Sequence, residues 1–270
     1  MIQKSIDKIQ EDGLLSYAFA VARYSKMAIE GRAQYLYYTS KYGSSAPNPF
    51  DTITINPNII SYVTIPAFSF TRSHHKTHIL DGDWDQQHSN DDLGIHRGNK
   101  DSRRLIRVEN YAFYNSLKRH FEQGVPWENT EFYRWAVDDA RKNDIGGHYS
   151  TMEEIRSRLE EIDNMYESIR NHGYLSQQEL GHTLPAVNEV QVNIGREGEI
   201  LFDEGKHRFV ISRILGLSEI PVRVFVRHKQ WQQIRQEIAT ATNPDQLSDV
   251  AKQNLAHPDI QDINADLESE

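Results

Sequence analysis

Apolar β-branched residues recur at every second position at two places in the last third of the chain, and this period-two pattern predicts two β-strands. The first runs over 190–194 and the second over 220–226, each with valine or isoleucine at every other position. Between them, a turn at 195–198 and the segment 199–203 predict a return strand. Four apolar residues then indicate a buried helix that ends at Gly216: Phe209, Ile211, Ile214 and Leu215. The pattern therefore predicts a strand–turn–strand–helix–strand unit.

Helical periodicity dominates much of the remaining chain. Residues 1–42 predict a helix with small and apolar residues among polar ones: Ala18, Ala22, Ile29 and Ala33. Two more helices are predicted between 111 and 142. The second has Thr130 as its N-cap. The first has five residues on one face: Tyr111, Tyr114, Leu117, Lys118 and Phe121. The clearest helix begins with a capping box of Ser150 and Glu153, and it ends at Gly173.

The segment 50–80 has the composition of β-structure, because β-branched and aromatic residues are frequent in it and prolines interrupt it. It predicts two or three short strands, and 81–101 predicts a polar loop. The fold class expected is therefore α+β, in three regions. Residues 1–149 form helices and short strands packed on the core, 150–230 form the central α/β unit, and 231–270 form a helical, acidic tail.

Composition removes several classes of function. The chain has no cysteine, which excludes disulfides, thiol catalysis and cysteine-bound metal clusters. The formal net charge is −9, which argues against binding of nucleic acid by the surface as a whole. No apolar run is long enough to cross a membrane, and the N-terminus lacks the layout of a signal peptide. We therefore expect a cytoplasmic protein without a membrane partner.

The turn between the return strand and the next helix carries the strongest chemical signal. Gly205 lets the backbone turn sharply, and the amides at the start of the following helix form a natural anion site. Lys206 can add a point charge, His207 can exchange a proton, and Arg208 can form a two-pronged contact with an oxyanion. Glu204, just before the turn, is a candidate base or metal ligand. The alternative is that these residues are a solvated edge of an ordinary β–α turn.

Two longer segments resemble the ParB/sulfiredoxin superfamily. These are MYESIRNHGY (165–174) and VQVNIGREGEILFDEGKHRFVISRILGLSEIPVRV (190–224). Ser168, Ile169 and Gly173 match the family's S-I-x-x-x-G helix end, and a hairpin, a D-G-x-H-R-like turn, an L-G helix end and an I-P-V strand follow in order. The resemblance implies a ParB/sulfiredoxin-like domain at 150–230 with an N-terminal extension. The whole chain is also similar to ParB-like proteins of halophilic archaea.

In that family the G-x-H-R turn binds nucleotide phosphates, so the resemblance implies a nucleotide such as ATP, ADP or CTP, together with Mg²⁺. Carried over by position, Gly205, His207 and Arg208 would bind phosphate, and Lys206 occupies the variable position. Glu204 stands where many members have Asp and would be a base or a ligand of Mg²⁺. The loop between 173 and 190 is longer than in the family, which leaves the acceptor substrate, a small molecule or a protein, open. Sulfiredoxin chemistry needs a cysteine that this chain lacks.

The leading hypothesis is a nucleotide-binding phosphotransferase or nucleotide hydrolase, with Glu204, His207 and Arg208 in catalysis. One alternative is a non-catalytic, nucleotide-dependent switch that recruits another protein. A third is a metal-dependent nuclease, against which the acidic surface argues. The partition proteins of the family carry a DNA-reading module after this domain. The acidic residues after His228 contain no basic recognition helix, which argues against sequence-specific DNA binding.

Four other groups have two interpretations each. His74, His75 and His78 could hold a metal or be solvated. Asp81, Asp83 and Asp85 alternate like the start of a calcium loop. A turn in which Trp84 packs inward fits the segment better. Arg170 and His172 suit the end of their helix, and Arg170 is also a candidate for the nucleotide pocket. Two arginines on the non-core face of the last strand could be an anion contact or a solvated edge: Arg223 and Arg227.

Overall fold

The computed structural model describes residues 14–70, 72–89, 103–142 and 149–263. Its α-helices are α1 (Leu14–Tyr42), α2 (Ala112–Gln123), α3 (Glu131–Lys142), α4 (Met152–His172), α5 (Pro185–Asn188), α6 (Lys206–Ile214), α7 (Lys229–Thr240) and α8 (Asp249–Gln253). Its strands are β1 (Ile53–Ile55), β2 (Tyr62–Ile65), β3 (His78–Leu80), β4 (His88–Ser89), β5 (Arg104–Arg107), β6 (Val190–Ile194), β7 (Ile200–Glu204) and β8 (Ile220–His228). Helices and a mixed sheet together confirm the α+β class.

The strands form a single mixed sheet in the order β1-β8-β6-β7-β2-β5-β4. β8 is long enough to have two partners along one edge. Its first half pairs antiparallel with β1 and its second half pairs parallel with β3, while its other edge pairs parallel with β6. Strands from 1–149 and from 150–230 therefore share one sheet, and β6, β7 and β8 lie at its centre.

The two faces of the sheet bury different sets of apolar residues because successive side chains of a strand point to opposite faces. Phe202 and Val224 belong to the main core, which includes α2, α3, α4 and α6. Their neighbours Leu201 and Phe225 belong to a smaller core, together with Trp84. Val190, Val192 and Ile194 of β6 all belong to the main core, and the polar Gln191 and Asn193 between them are also buried.

Most predicted elements are present. The unit over 190–228 has the predicted order, and Thr130 caps α3 by accepting a hydrogen bond from the amide of Tyr133 at 3.2 Å. The predicted capping box is wrong by one residue. Thr151 is the N-cap and accepts from the amide of Glu154 at 3.1 Å. Two consecutive hydroxyl residues are each followed three positions later by glutamate, so the spacing alone could not separate the two starts.

The two arginines of the last strand are not at a solvated edge, contrary to one interpretation of the sequence. Arg223 is 0% and Arg227 is 6% exposed, and both make hydrogen bonds within the protein. Arg227 forms a two-pronged contact with Asp259 from the C-terminal segment, at 2.6 and 2.9 Å. This contact ties the C-terminal segment to β8. None of the described helices has an apolar stretch of the length needed to cross a bilayer.

Candidate functional site

A cleft of about 630 Å³ opens where α1, the loop before β3 and the start of α6 meet. α1 contributes Arg23, Tyr24 and Met27 to one wall. The loop contributes Ser73, His74 and His75, and the segment around β6 contributes Val187, Asn188, Glu189 and Gln191. The remaining lining comes from the predicted turn: Glu204, Gly205 and Arg208. A space of this volume is typical of a small-molecule site.

Gly205 forms the turn that connects β7 to α6. Its φ of 89° is in the left-handed region, which glycine adopts without steric cost. The first amide that bonds back into the helix is that of Phe209, to the carbonyl of Gly205 at 3.1 Å. The preceding amides of α6 have no partner within the helix, and no side chain caps it at Gly205. An uncapped helix start at the cleft is a favourable place for an anion.

Substituting Gly205 by alanine should lower the free energy of unfolding more than the same change at Gly216. Both glycines have positive φ, but a Cβ at Gly205 would lie 3.0 Å from Val190 Cα, whereas a Cβ at Gly216 meets nothing within 4 Å. We expect a loss of about 1–2 kcal/mol for Gly216→Ala and about 2–4 kcal/mol for Gly205→Ala. Urea unfolding of both variants measures the difference. Equal losses would show that the turn tolerates a side chain beside β6.

Glu204 and His74 form a pair at the cleft. His74 Nδ1 lies 3.5 Å from Glu204 Oε2. Contact with Glu204 raises the pKa of His74. Burial acts to raise the pKa of Glu204, but the contacts with His74 and Ser69 lower it. The pair is therefore stable as a carboxylate beside an imidazolium, and it can accept and return a proton.

Arg208 is held rigidly at the side of the cleft. It donates hydrogen bonds to Glu189 Oε2 at 3.3 Å, to the Tyr174 hydroxyl at 3.2 Å and to the carbonyl of Asn188. Burial raises the pKa of Glu189, although hydrogen bonds from Gln177 and Tyr174 act in the opposite direction. These contacts pre-orient the guanidinium, so an arriving anion does not have to order a flexible side chain.

Lys206 and His207 do not line the cleft, contrary to the roles predicted for them. Successive helical residues point about 100° apart, so these two cannot share the direction of Arg208. Lys206 Nζ lies 4.8 Å from the centre of the Phe113 ring, and the His207 ring meets the same phenyl edge-on at 5.2 Å. Burial lowers the pKa of Lys206 to about 8 and that of His207 to about 3. Both side chains pack α6 against α2.

Arg170 also lies outside the cleft lining. Its side chain is half exposed and pairs with Glu167 at 2.6 Å, one turn earlier on α4. His172 is exposed and contacts the carbonyl of Ser168 at 3.1 Å. Both therefore occupy the last turn of α4 in the way that suits the helix dipole. Of the predicted site residues, the structure brings together Glu204, Gly205 and Arg208.

The three neighbouring histidines diverge. His74 faces Glu204, His75 Nε2 lies 2.6 Å from Glu30 Oε2, and the His78 ring packs edge-on against Phe225. Burial lowers the pKa of His78 to about 4. Within the described ranges, no group of three histidine, aspartate or glutamate side chains has the arrangement of a metal site. Neither these histidines nor Glu204 therefore belongs to a ready-made metal cage.

The aspartates of 81–85 form a turn stabilised by ion pairs. Asp83 and Asp85 both contact Arg196, and Asp81 contacts Lys229 at 2.7 Å. Trp84 is 8% exposed and packs edge-on against Phe68, so the expected inward position of this tryptophan is confirmed.

Sequence reasoning missed one whole wall of the cleft. The residues that α1 contributes lie far from the turn in sequence, and nothing in their spacing indicates that they face it. The sequence indicates His74 as a metal ligand or a solvated residue, and its pairing with Glu204 depends on where the fold places the loop before β3. Comparisons with family models, with curated proteins and with solved structures gave no match, so a functional assignment depends on the geometry of the cleft.

Proposed function

We propose that the cleft binds the phosphates of a nucleotide and that the protein is a phosphotransferase or a nucleotide hydrolase. One observation carries the proposal. An uncapped helix start at Gly205 shares a cleft with a pre-oriented guanidinium, Arg208, and with the Glu204–His74 pair. The first two features suit a phosphate, and the third suits proton transfer to or from a reacting oxygen.

Each group has a role that follows from its position. The free amides of α6 and Arg208 would bind the phosphate oxygens and stabilise charge that develops during transfer. Glu204 would accept the proton of the attacking hydroxyl or water and become the neutral acid, and the His74 imidazolium would stabilise the carboxylate before the transfer. Tyr24 and Met27 supply an aromatic and apolar surface for the organic part of the ligand. Mg²⁺ accompanies nucleotides, and contact with it is the alternative to the role of Glu204 as base, because a carboxylate that binds a metal does not accept a proton. None of the other roles depends on a metal held by the protein.

The proposal is tested by nucleotide binding to the wild-type protein and to Arg208→Gln. ATP, ADP, CTP and GTP would be titrated with Mg²⁺ in a calorimeter and in thermal unfolding. A ligand that binds the native state raises its stability by about 2.7 kcal/mol at a concentration of 100 Kd. Because hydrogen bonds to charged groups contribute about 1.5–3 kcal/mol, Arg208→Gln should weaken binding by about 10- to 100-fold.

Arg213→Gln is the matched control. Arg213 belongs to the same helix, but it donates to the carbonyls of Pro57 and Ile60 and does not line the cleft. Its affinity for the nucleotide should equal that of the wild type. If Arg208→Gln binds as tightly as the wild type, the phosphate does not lie at this turn. If no nucleotide stabilises the wild type, the proposed function is wrong.

A non-catalytic switch is the second candidate, and the surface of α1 favours it. Phe19, Ile29 and Leu36 are 75%, 67% and 70% exposed, while the same helix lines the cleft with Tyr24 and Met27. A ligand in the cleft would therefore contact the helix that carries this exposed apolar surface. Nucleotide binding without turnover, together with a change in amide exchange along α1, would favour the switch over the enzyme. The nuclease alternative remains a prediction from the resemblance alone.

A further inference from the structure

We infer that Arg223 is a positioning residue of the cleft, and that its guanidinium holds the loop carrying His74 in the place where His74 meets Glu204. This inference rests on the proposed function for its catalytic meaning. Its structural content, the dependence of the His74–Glu204 contact on Arg223, can be measured in the protein without any ligand.

The contacts of Arg223 account for all three guanidinium nitrogens. Nε donates to the carbonyl of Pro49 at 2.8 Å, Nη1 donates to the carbonyl of His74, and Nη2 donates to the carbonyl of Lys76 at 2.6 Å. Two of the acceptors belong to the loop before β3, and the third belongs to the segment before β1. One side chain from β8 therefore connects two separate loops, and it does so at the backbone of His74 itself.

The environment of Arg223 is costly for a charge. The residue is 0% exposed, and its hydrogen bonds within the described part of the chain go to backbone carbonyls and not to a carboxylate. Burial, with a smaller contribution from Arg227, lowers the pKa of Arg223 to about 9. An apolar residue of similar size would avoid this cost. An apolar residue could not bind the three carbonyls and so could not hold them in their relative positions.

His74 needs such support because its side chain is 50% exposed, so close packing does not fix its direction. The neighbouring positions have other attachments. His75 contacts Glu30 on α1, and Thr77 bonds to Gln34 and to the carbonyls of Val224 and Phe225. At residue 74, the hydrogen bond from Arg223 to the carbonyl fixes the position of the backbone. The position of the backbone in turn determines whether His74 Nδ1 can reach Glu204 Oε2.

The test compares the effect of Glu204→Gln on His74 in two backgrounds. In the ligand-free wild-type protein, Glu204→Gln should shift the ring ¹⁵N resonances of His74, because the carboxylate beside Nδ1 is lost. In Arg223→Lys the same substitution should leave these resonances almost unchanged, since a single ammonium cannot span three carbonyls and His74 would already have left Glu204. Arg227→Lys is the matched control, a conservative change at another buried arginine of β8, and it should keep the full shift.

The outcomes separate positioning from simple stability. If both lysine variants lose stability but Arg223→Lys keeps the full effect of Glu204→Gln, Arg223 is structural only and the inference is wrong. If Arg223→Lys does not fold, the wild type still decides the matter. The Nη1 protons of Arg223 should then exchange slowly and show a hydrogen-bond coupling to the His74 carbonyl, and fast exchange without that coupling would overturn the inference.

Turnover gives the functional consequence. Because misplacement of a catalytic group by about 1 Å can cost about 100-fold, Arg223→Lys should lower kcat by about 10- to 100-fold and leave nucleotide affinity within about twofold. An equal loss in affinity would contradict a role through His74. If the wild type binds no nucleotide, the proposed function fails while the resonance experiment still decides whether Arg223 positions His74.

Discussion

Glutamine in place of Glu204 is expected to lower turnover by about 10²- to 10⁴-fold while nucleotide affinity changes little. The reason is that a positioned general base contributes about that much to a rate, whereas the phosphates would be bound by the amides of α6 and by Arg208. Glutamine keeps the size of the side chain, but it cannot accept the proton. The measurement is phosphate release from the nucleotide that binds best, together with its Kd from calorimetry.

Glu197→Gln is the control for the change in charge. Glu197 is exposed in the turn that precedes β7, at the other end of the strand from Glu204, and it does not line the cleft. Its turnover should stay within about twofold of the wild type, since surface substitutions away from the site have small effects. Full activity in Glu204→Gln would remove Glu204 as the base. A wild type that binds a nucleotide and does not turn it over would favour the switch.

Asparagine in place of Asp259 should lower the free energy of unfolding by about 3–5 kcal/mol, the typical cost of removing one partner from a buried ion pair. Asp259 is 1% exposed and accepts hydrogen bonds from Arg227 and from the Trp231 indole at 2.9 Å, and Arg235 lies 3.3 Å away. The substitution leaves the guanidinium of Arg227 buried without a carboxylate. Urea unfolding measures the loss.

Asp262→Asn provides the comparison, because Asp262 also pairs with Arg235, at 2.9 Å, but its side chain is 51% exposed. An exposed pair contributes about 0–1 kcal/mol, so this variant should resemble the wild type. If Asp259→Asn loses no more stability than Asp262→Asn, the C-terminal segment is not held on β8 by the buried pair.

The same pair gives stability a defined dependence on pH. Burial acts to raise the pKa of Asp259, but Arg227 and Arg235 lower it to about 2. In the unfolded chain the pKa of aspartate is about 3.9, so the unfolded state binds more protons between these two values. The contribution of about 3 kcal/mol to the free energy of unfolding is therefore complete above about pH 4 and is lost as the pH falls through about 2. Asp259→Asn should lack this part of the acid transition.

The elements of the 190–228 unit could be predicted because each depends on local order. Period-two alternation predicts the strands β6 and β8, and a glycine between a strand and an apolar helical face predicts a turn. The start of α4 was misplaced by one residue because Ser150 and Thr151 offer the same local chemistry. β5 was not predicted because its sequence, RLIR, shows no period-two alternation, and only pairing with β2 makes it a strand.

The sequence by itself determined the α+β class, the turn at Gly205 and the candidacy of Glu204 and Arg208, since these follow from periodicity and from residue types next to one another. Only the tertiary structure decided which side chains share the cleft. Helical geometry turned Lys206 and His207 towards Phe113 on α2, and the fold brought His74 to Glu204 across a separation of 130 positions. α1 joined the cleft through contacts with the loop before β3. Such long-range contacts depend on how elements pack, which local sequence patterns do not encode.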